Sequence, residues 1–413
     1  MKYFLIGIKG SGMAALAHIL KDKGHEVLGS DTDDYVFTQE MLIERNIPIY
    51  SFNEYNLESV DVVIVGHSFY PFFSETKKAL ELGKSVIEYN SFVSTLANSK
   101  YSIAIAGSHG KTSSVGLLCE LLKDQNPSFL RGDGVGKWTD SKYFIFEACE
   151  YKNHFHAYKV DEAIILNIDY DHNDYFKSYE DYKNSFFKFM KNVRKCIYLS
   201  DEIEYFNNII INFGENSFCL KDKNTLIFNN KIIKNIKFNV QQKELINNQL
   251  GVILCALNLG VKPNKIRQYL LEFKGVKRRK EEMIIKDDIF IDDYAHHPSQ
   301  IRVIIEECRL KYPSKEIIAI FKPDRYSRIL QFHKEINKSL STADKAFVLP
   351  FPKCSKNDTQ EEFDSSIIGI DVLEEKELLK ELKKHCNCVY LFLSSKDLSN
   401  IRQELMAFKF DIN

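Results

Sequence analysis

"GSHGKTSS" occupies residues 107–114, directly after the apolar run "YSIAIA" at 101–106. An unbroken apolar run that ends in glycine reads as a buried strand feeding a tight turn. "KTSSVGLLCELLKD" (111–124) then continues at helical spacing. Strand, glycine turn and helix in this order open a βαβ unit, so the stretch decides the fold class: α/β with a mostly parallel sheet. It also decides the chemistry, because a helix N-terminus offers unpaired N–H groups and a favourable dipole to phosphate. Only Ser108 and His109 separate Gly107 from Gly110, fewer residues than the common phosphate loop carries there. The loop is a short variant that still suits ATP. Lys111 is set to reach the β/γ-phosphates, the Thr112 hydroxyl suits Mg²⁺, and Ser113 completes the helix start. On a loop, Lys111 reads as exposed, so its removal is expected to cost little stability.

Working outward, "YFLIGI" (3–8), "HEVLGSD" (25–31), "DVVIVG" (61–66) and "SVIEY" (85–89) alternate with a helix in "KGSGMAALAHILKDKG" (9–24), its face marked by Met13, Leu16, Ala17 and Leu20, and another at 74–82. A small doubly wound sheet ending near Lys100 is expected. Beyond the phosphate loop, "YFIFEA" (143–148) and "EAIILNI" (162–168) read as further strands. The stretch 205–240 is β-rich, with Asn229-Asn230 as a hairpin turn. Leu245, Ile246, Gln249, Leu250, Ile253, Leu254 and Leu257 repeat at helical spacing, and Gly260 ends that helix. After "FKGVKRRKEE" a third unit alternates again: "IFIDDY", a helix over Pro298–Lys311, "EIIAIF", a helix near 328–340, "KAFVLP" and "CVYLFLS". At roughly 150 residues per domain, the length of the chain fits about three domains. Boundaries are expected at 1–99, 100–277 and 278–413.

Carboxylates gather where strands end. Glu147 and Glu150 follow "YFIF", and Asp169, Asp171 and His172 follow "EAIILNI". Strand C-termini crowd at the ligand crevice of an open α/β sheet, and Mg²⁺ needs only a few hard oxygens besides phosphate. In the first unit, Gly7, Gly10 and Gly12 read G-x-x-G-x-G, with Asp31 closing the next strand. Alone, this spacing leaves NAD and another nucleotide equally open. His296-His297 resembles a metal pair, but neighbours on a strand end point apart, which favours nucleotide or domain contacts.

Composition excludes several classes. With 56 basic and 57 acidic side chains, the net charge of −1 favours neither a nucleic acid nor a membrane surface as partner. Hydrophobic content of 44% supports packed cores. The nine cysteines form no framework, which points to reduced thiols of the cytoplasm. His385-Cys386-Asn387-Cys388 looks metal-like but lacks a second ligand pair. "YFLIGI" is too short for a signal peptide or a membrane span, so a soluble cytoplasmic protein, monomer or homodimer, is expected.

"GSHGKTSS", "EACEYKNHF", "NIDYDHNDYF", "FKGVKRRKE", "DDYAHHP" and "FKPDRYSR" resemble, in order and approximate spacing, the motifs of the Mur ligase family. "GIKGSGMAALAHILKDKGHEVLGSD" is similar to the glycine-rich UDP-sugar domain of that family. The resemblance covers most of the chain and weakens after about Leu349. It implies a three-domain fold: a Rossmann-like UDP-binding domain, a P-loop ATPase-type centre and a Rossmann-like C-terminal domain. It also implies an ATP-dependent amide ligase, closest to the members that join L-alanine to the lactyl carboxylate of UDP-N-acetylmuramate, for cell-wall precursors. The other expectations are a relative that attaches a recycled peptide and a nucleotide-binding protein without catalysis. Matching positions assign Glu150 and His172, with Thr112, to Mg²⁺, and Asn248, Arg279 and Asp293 to ATP. Tyr294, Arg325 and Arg328 resemble the amino-acid site. Gly10, Ser11, Gly12, Met13, Ser30 and Asp31 resemble the UDP-sugar site, which a separate ATP loop favours over NAD. Departures bear on adenine contacts and amino-acid choice: "QKEL" (242–245) replaces Gly-x-His-Asn, "FPKCSKND" (351–358) an acidic stretch, and "SSKD" (394–397) a glycine turn. Without those glycines, a differently packed C-terminal domain is expected.

Overall fold

The computed structural model describes residues 1–205, 210–214, 220–222, 225–228, 231–351 and 364–411. The chain forms two compact units. One comprises Met1–Tyr170, Tyr175–Asn239 and Asn247–Lys274; the other comprises Asp171–Asp174, Val240–Ile246 and Gly275–Asn413.

The first unit opens with β1 (Lys2–Ile6), β2 (Glu26–Asp31), β3 (Ile49–Ser51), β4 (Val62–Val65) and β5 (Ser85–Glu88). They form a parallel sheet in the order β3-β2-β1-β4-β5. Helices α1 (Ser11–Asp22), α2 (Gln39–Glu44), α3 (Ser74–Glu81) and α4 (Tyr89–Asn98) connect or follow these strands. The expected strand at 85–89 stops at Glu88, and Tyr89 begins α4 instead.

A second sheet holds β6 (Tyr101–Ala106), β7 (Ser128–Leu130), β8 (Gly136–Lys137), β9 (Tyr143–Glu147), β10 (Val160–Ile165), β11 (Val193–Ser200) and β12 (Ile210–Phe213). Its order is β12-β11-β10-β6-β9-β7-β8, and only β7–β8 pair antiparallel. Strand β6 lies between β9 and β10, so the ends at Ala106, Glu147 and Ile165 emerge side by side. That placement brings the phosphate loop and both acidic segments to one edge. Between the sheets, α1 packs on β8 so closely that a Cβ at Gly136 would press into the Ala15 carbonyl. Asp22 accepts the Trp138 N–H at 2.9 Å. One apolar core contains Leu16 and Ala17 of α1 together with Ala104 and Phe144 of the second sheet.

Helices α5 (Lys111–Leu121) and α6 (Tyr179–Met190) flank the second sheet. Strands β13 (Leu220–Asp222), β14 (Thr225–Phe228) and β15 (Lys231–Ile233) form a small antiparallel sheet, while Asn229-Asn230 lies outside the described residues. Helix α7 (Lys243–Asn258) ends before Gly260 at φ +92°, as expected, and α8 (Pro263–Glu272) follows.

The second unit is built on β16 (Glu281–Ile285), β17 (Asp288–Asp293), β18 (Glu316–Phe321), β19 (Lys345–Val348) and β20 (Cys388–Leu393). The order is β16-β17-β20-β18-β19, parallel except for the β16 edge. Helices α9 (Pro298–Lys311), α10 (Tyr326–Leu340), α11 (Glu375–Leu382) and α12 (Ser399–Asp411) complete it. At "SSKD" the turn is built without a left-handed residue. None of Ser394–Asp397 takes a positive φ. Ser394 Oγ donates to the Lys322 carbonyl at 2.7 Å, and Asp397 accepts the Ser399 N–H at 3.0 Å at the start of α12. Hydroxyl and carboxylate do the work that a left-handed glycine would do elsewhere. Most of "FPKCSKND" (352–358) lies outside the described residues. Among the described residues no helix is long and apolar enough to cross a membrane.

Candidate active site

In the first unit, Gly107 and Gly110 take φ +145° and +84°, conformations that side chains rarely adopt. The side chain of Asn248, from α7, lies where a Gly110 Cβ would project. Asn167 ties the loop down: its Oδ1 accepts the His109 N–H at 2.9 Å, and its Nδ2 donates to the His109 carbonyl at 3.1 Å. Ser108 Oγ sits 2.8 Å from the Tyr182 hydroxyl, and His109 Nε2 is 2.9 Å from Asp169.

Lys111 is not the exposed loop residue expected. It begins α5, with its side chain only 11% exposed, and Nζ lies 2.9 Å from Glu150 Oε2. Nζ also donates to the Gly107 and Ser108 carbonyls at 2.5 and 3.2 Å. Burial would lower the ammonium, but Glu150 and then Glu147 outweigh it and hold it above its usual value. Thr112 Oγ1 donates to Glu147 Oε2 at 2.8 Å. Lys111 and Thr112, the first two residues of α5, thus each meet a carboxylate from the end of β9 or just beyond it. Thr112, Glu147 and Glu150 form a hard-oxygen set of the kind Mg²⁺ prefers, beside the cationic Lys111.

At the other nucleotide candidate, Gly7 takes φ +82°, and its N–H donates to the Ser30 carbonyl at 2.8 Å. Gly10 caps α1, and Gly12 backs onto the Tyr89 hydroxyl; Ser11 and Met13 stand in the first turn. Both Asp31 oxygens are occupied, by the Lys9 N–H at 2.7 Å and the Thr32 N–H at 2.8 Å. Ser30 Oγ donates to buried Glu75 at 2.5 Å. Beside them opens a cavity of about 550 Å³ lined by Lys9, Thr32, Ile47, Tyr50 and Ser51 among others, the size of an ordinary ligand site.

In the second unit, Asp171, Asp324 and Arg328 form a buried network. The Arg328 guanidinium is 3.5 Å from Asp171 and 3.1 Å from Asp324, and Ser395 Oγ donates to Asp324 at 2.6 Å. Against burial, Arg328 and the imidazoles of His172, His297 and His296 hold Asp171 well below the usual carboxylate range. Burial and then Arg328 push His296 down to about 3. Arg325 instead stands exposed at the N-cap of α10. The Arg279 guanidinium lies 4.5 Å from the Tyr294 ring centre. Both Asp293 oxygens accept backbone N–H groups, from Lys280 and Ala295, at 2.8 Å. His172 takes φ +58°, and its N–H donates to Asp171 at 2.7 Å. His296 and His297 are not on a strand end, since β17 stops at Asp293 and His297 caps α9.

This arrangement has close counterparts. Residues 2–101 match the Mur ligase family, catalytic domain; 105–256 the Mur ligase middle domain; and 278–377 the Mur ligase, glutamate ligase domain. The chain belongs to the Mur ligase family. A UDP-N-acetylmuramate–L-alanine ligase of Limosilactobacillus reuteri (strain DSM 20016) is 36% identical, covering 97% of this chain and 98% of its own. The UDP-N-acetylmuramate-alanine ligase structure from Thermotoga maritima shares the fold at a TM-score of 0.78 and 22% identity, over 98% of each chain. A murein peptide ligase from Psychrobacter arcticus 273-4 does so at 0.72 and 20%, over 100% and 99%.

In this Mur ligase the departure at "QKEL" is built in firmly. Gln242 Oε1 accepts the Glu244 and Leu245 N–H groups at 2.8 and 3.3 Å, capping α7. Buried Glu307 accepts the Gln241 and Gln242 N–H groups at 2.8 and 2.7 Å and pairs with Lys280. Reading the sequence missed Asn167, Tyr182, Asp324 and Ser395 as site residues. Asn167 and Asp324 stand inside the quoted motifs and Ser395 inside the quoted "SSKD", whereas nothing local marks Tyr182.

Proposed function

We propose that this Mur ligase joins L-alanine to UDP-N-acetylmuramate at the expense of ATP. The observation that carries the reading is the phosphate loop whose Lys111 and Thr112 are each held by a carboxylate, Glu150 and Glu147. The identity to the Limosilactobacillus reuteri ligase along both chains supports the choice of substrates.

A lactyl carboxylate oxygen attacks the γ-phosphorus of ATP; ADP leaves, and an acyl phosphate remains. The amine nitrogen of L-alanine attacks the acyl carbon, phosphate departs with its oxygen, and the amine gives up a proton. Phosphoryl transfer asks for position and charge neutralisation rather than a protein nucleophile. The loop N–H groups and Lys111 orient and neutralise phosphate, and Asn167 and Asn248 keep the loop in shape. Thr112 and Glu150 would hold Mg²⁺, with Glu147 as their neighbour; bound there, the ion supplies positive charge to the phosphate oxygens. The resemblance adds His172 to that set.

Arg279 and Asp293 are assigned to ATP phosphate and ribose. Arg325 is assigned to the alanine carboxylate, with Tyr294 shaping the pocket. Arg328, already clamped between Asp171 and Asp324, positions rather than grips. The helix start at Gly10–Met13, with Ser30 and Asp31, is assigned to the UDP-sugar. On this reading residues 1–99, 100–277 and 278–413 are the sugar, ATP and amino-acid domains.

Phosphate release from ATP and UDP-N-acetylmuramate, with L-alanine, glycine, L-serine or a recycled peptide as acceptor, tests the proposal. Turnover should be fastest with L-alanine. Turnover with the peptide alone would overturn the choice of acceptor, and release without any acceptor would overturn the ligase reading.

A further inference from the structure

The second unit carries a cluster at the opposite strand ends from its Arg325 and Tyr294. Glu316 and Cys388 are the first residues of β18 and β20 and stand side by side in register. Arg325, Tyr294 and Ser395 follow the opposite ends of these strands and of β17. The intervening residues span about 17 Å at ~3.3 Å each. His385 closes the cluster from the turn after α11.

"HCNC" alone offers ligand types with no partners, and strand pairing supplies the missing one. Glu316 Oε2 lies 3.1 Å from His385 Nδ1 and 3.4 Å from Cys388 Sγ. One donor atom from each of the three lies within 4.8 Å of the others. A tetrahedral Zn²⁺ with bonds of ~2.0–2.3 Å sets its ligand atoms roughly 3.3–3.7 Å apart. The observed spacings bracket that range, so little movement is needed to admit an ion. The other imidazole nitrogen faces a second carboxylate, with His385 Nε2 3.7 Å from Glu381 Oε1. A carboxylate behind the far nitrogen is the usual outer support of a metal-bound histidine. The turn itself is pinned, because the His385 carbonyl accepts from the Tyr390 hydroxyl at 2.8 Å and from Lys409 Nζ.

We propose that Glu316, His385 and Cys388 form a binding site for a thiophilic divalent cation of the Zn²⁺ type, with exposed Cys386 or water as fourth ligand. Lys345 Nζ, 3.6 Å from Glu316 and 3.2 Å from His385 Nε2, is the local cation that the ion replaces. Its side chain is 42% exposed, so it can swing into solvent. Without the ion, burial and then Glu316 keep the Cys388 thiol protonated, pushed up to about 12. Binding therefore releases a proton and strengthens with pH. The site is a clasp between β18, β20 and the turn after α11, at the opposite strand ends from Arg325 and Tyr294, so it serves stability rather than the reaction.

Co²⁺ titration of the full-length, tag-free protein under a non-thiol reductant tests this. One equivalent should produce a thiolate charge-transfer band and the strong visible bands of tetrahedral cobalt, and Zn²⁺ should bleach both. Cys388→Ser and His385→Gln should abolish the signal, and Glu316→Gln should weaken it at least tenfold. Cys149→Ser, beside Glu150, should leave it intact. Zn²⁺ should raise the Tm of the native protein and of Cys149→Ser but not of His385→Gln. Because His385 lies in a turn, that variant tests the site even where Cys388→Ser fails to fold. No thiolate band in the native protein, or an unchanged band in His385→Gln, would overturn the proposal.

Discussion

At the residue scale, Lys111 does two jobs that the sequence separates poorly. "GKT" after a buried strand announces a phosphate contact. That Glu150 would come back to bury the same ammonium could not be read, because the two stand 39 positions apart and the β6–β9 pairing brings them together. Lys111→Ala should abolish turnover and also destabilise the fold, because buried Glu150 loses its cationic partner, a loss of about 3 kcal/mol. Urea unfolding beside a turnover assay measures both. Lys111→Ala with Glu150→Gln should recover stability but not activity. The two arginines of "FKPDRYSR" separate in the same way. Arg325→Lys keeps the charge but loses the planar fork, and should raise the KM for L-alanine about ten- to a hundredfold while leaving that for ATP nearly unchanged. Arg328→Lys should lower stability more than it alters the alanine KM, since Asp171 and Asp324 lose their common partner. Equal KM shifts in the two variants would contradict the division of roles.

At the scale of elements, the apolar runs and glycine turns fixed most central strands and the helices behind them. Elements whose signal depends on a neighbour were missed. β16 is an edge strand defined by β17, and β7 and β8 are too short to show a period. The seating of α1 on β8 was equally invisible, because glycine at 136 has meaning only once Ala15 lies against it. Gly136→Ala should cost about 1–3 kcal/mol by forcing these backbones apart, read as a fall in the urea midpoint. His18 on the same helix gives the contact a pH dependence. Its Nδ1 accepts the Gly136 N–H, and burial and then Arg45 lower the imidazole to about 4. The unfolded chain, near 6.5, binds more protons between these values, so stability falls as pH drops through that window. The loss should reach about 2 kcal/mol from pH 6.5 to 5 and shrink in His18→Gln. Unfolding midpoints at both pH values, in both proteins, decide it.

For the whole molecule, ordered motifs spread along the chain made the family legible, because all but "FKGVKRRKE" follow a strand end where ligand chemistry gathers. Acceptor choice is less legible. "QKEL" and "SSKD" break the family pattern, yet Gln242, Ser394 and Asp397 rebuild both turns by side-chain hydrogen bonds. Such compensation follows from contacts distant in sequence and leaves no local pattern. The central claim is that ATP activates the sugar carboxylate as an acyl phosphate before the amine attacks. UDP-N-acetylmuramate labelled with ¹⁸O in its lactyl carboxylate, turned over with ATP and L-alanine, tests that claim directly by mass spectrometry of the released phosphate. One labelled oxygen per phosphate, with the other kept in the amide of the alanyl product, is the expected result; unlabelled phosphate, with the lost oxygen recovered in water or in the nucleotide, would contradict it.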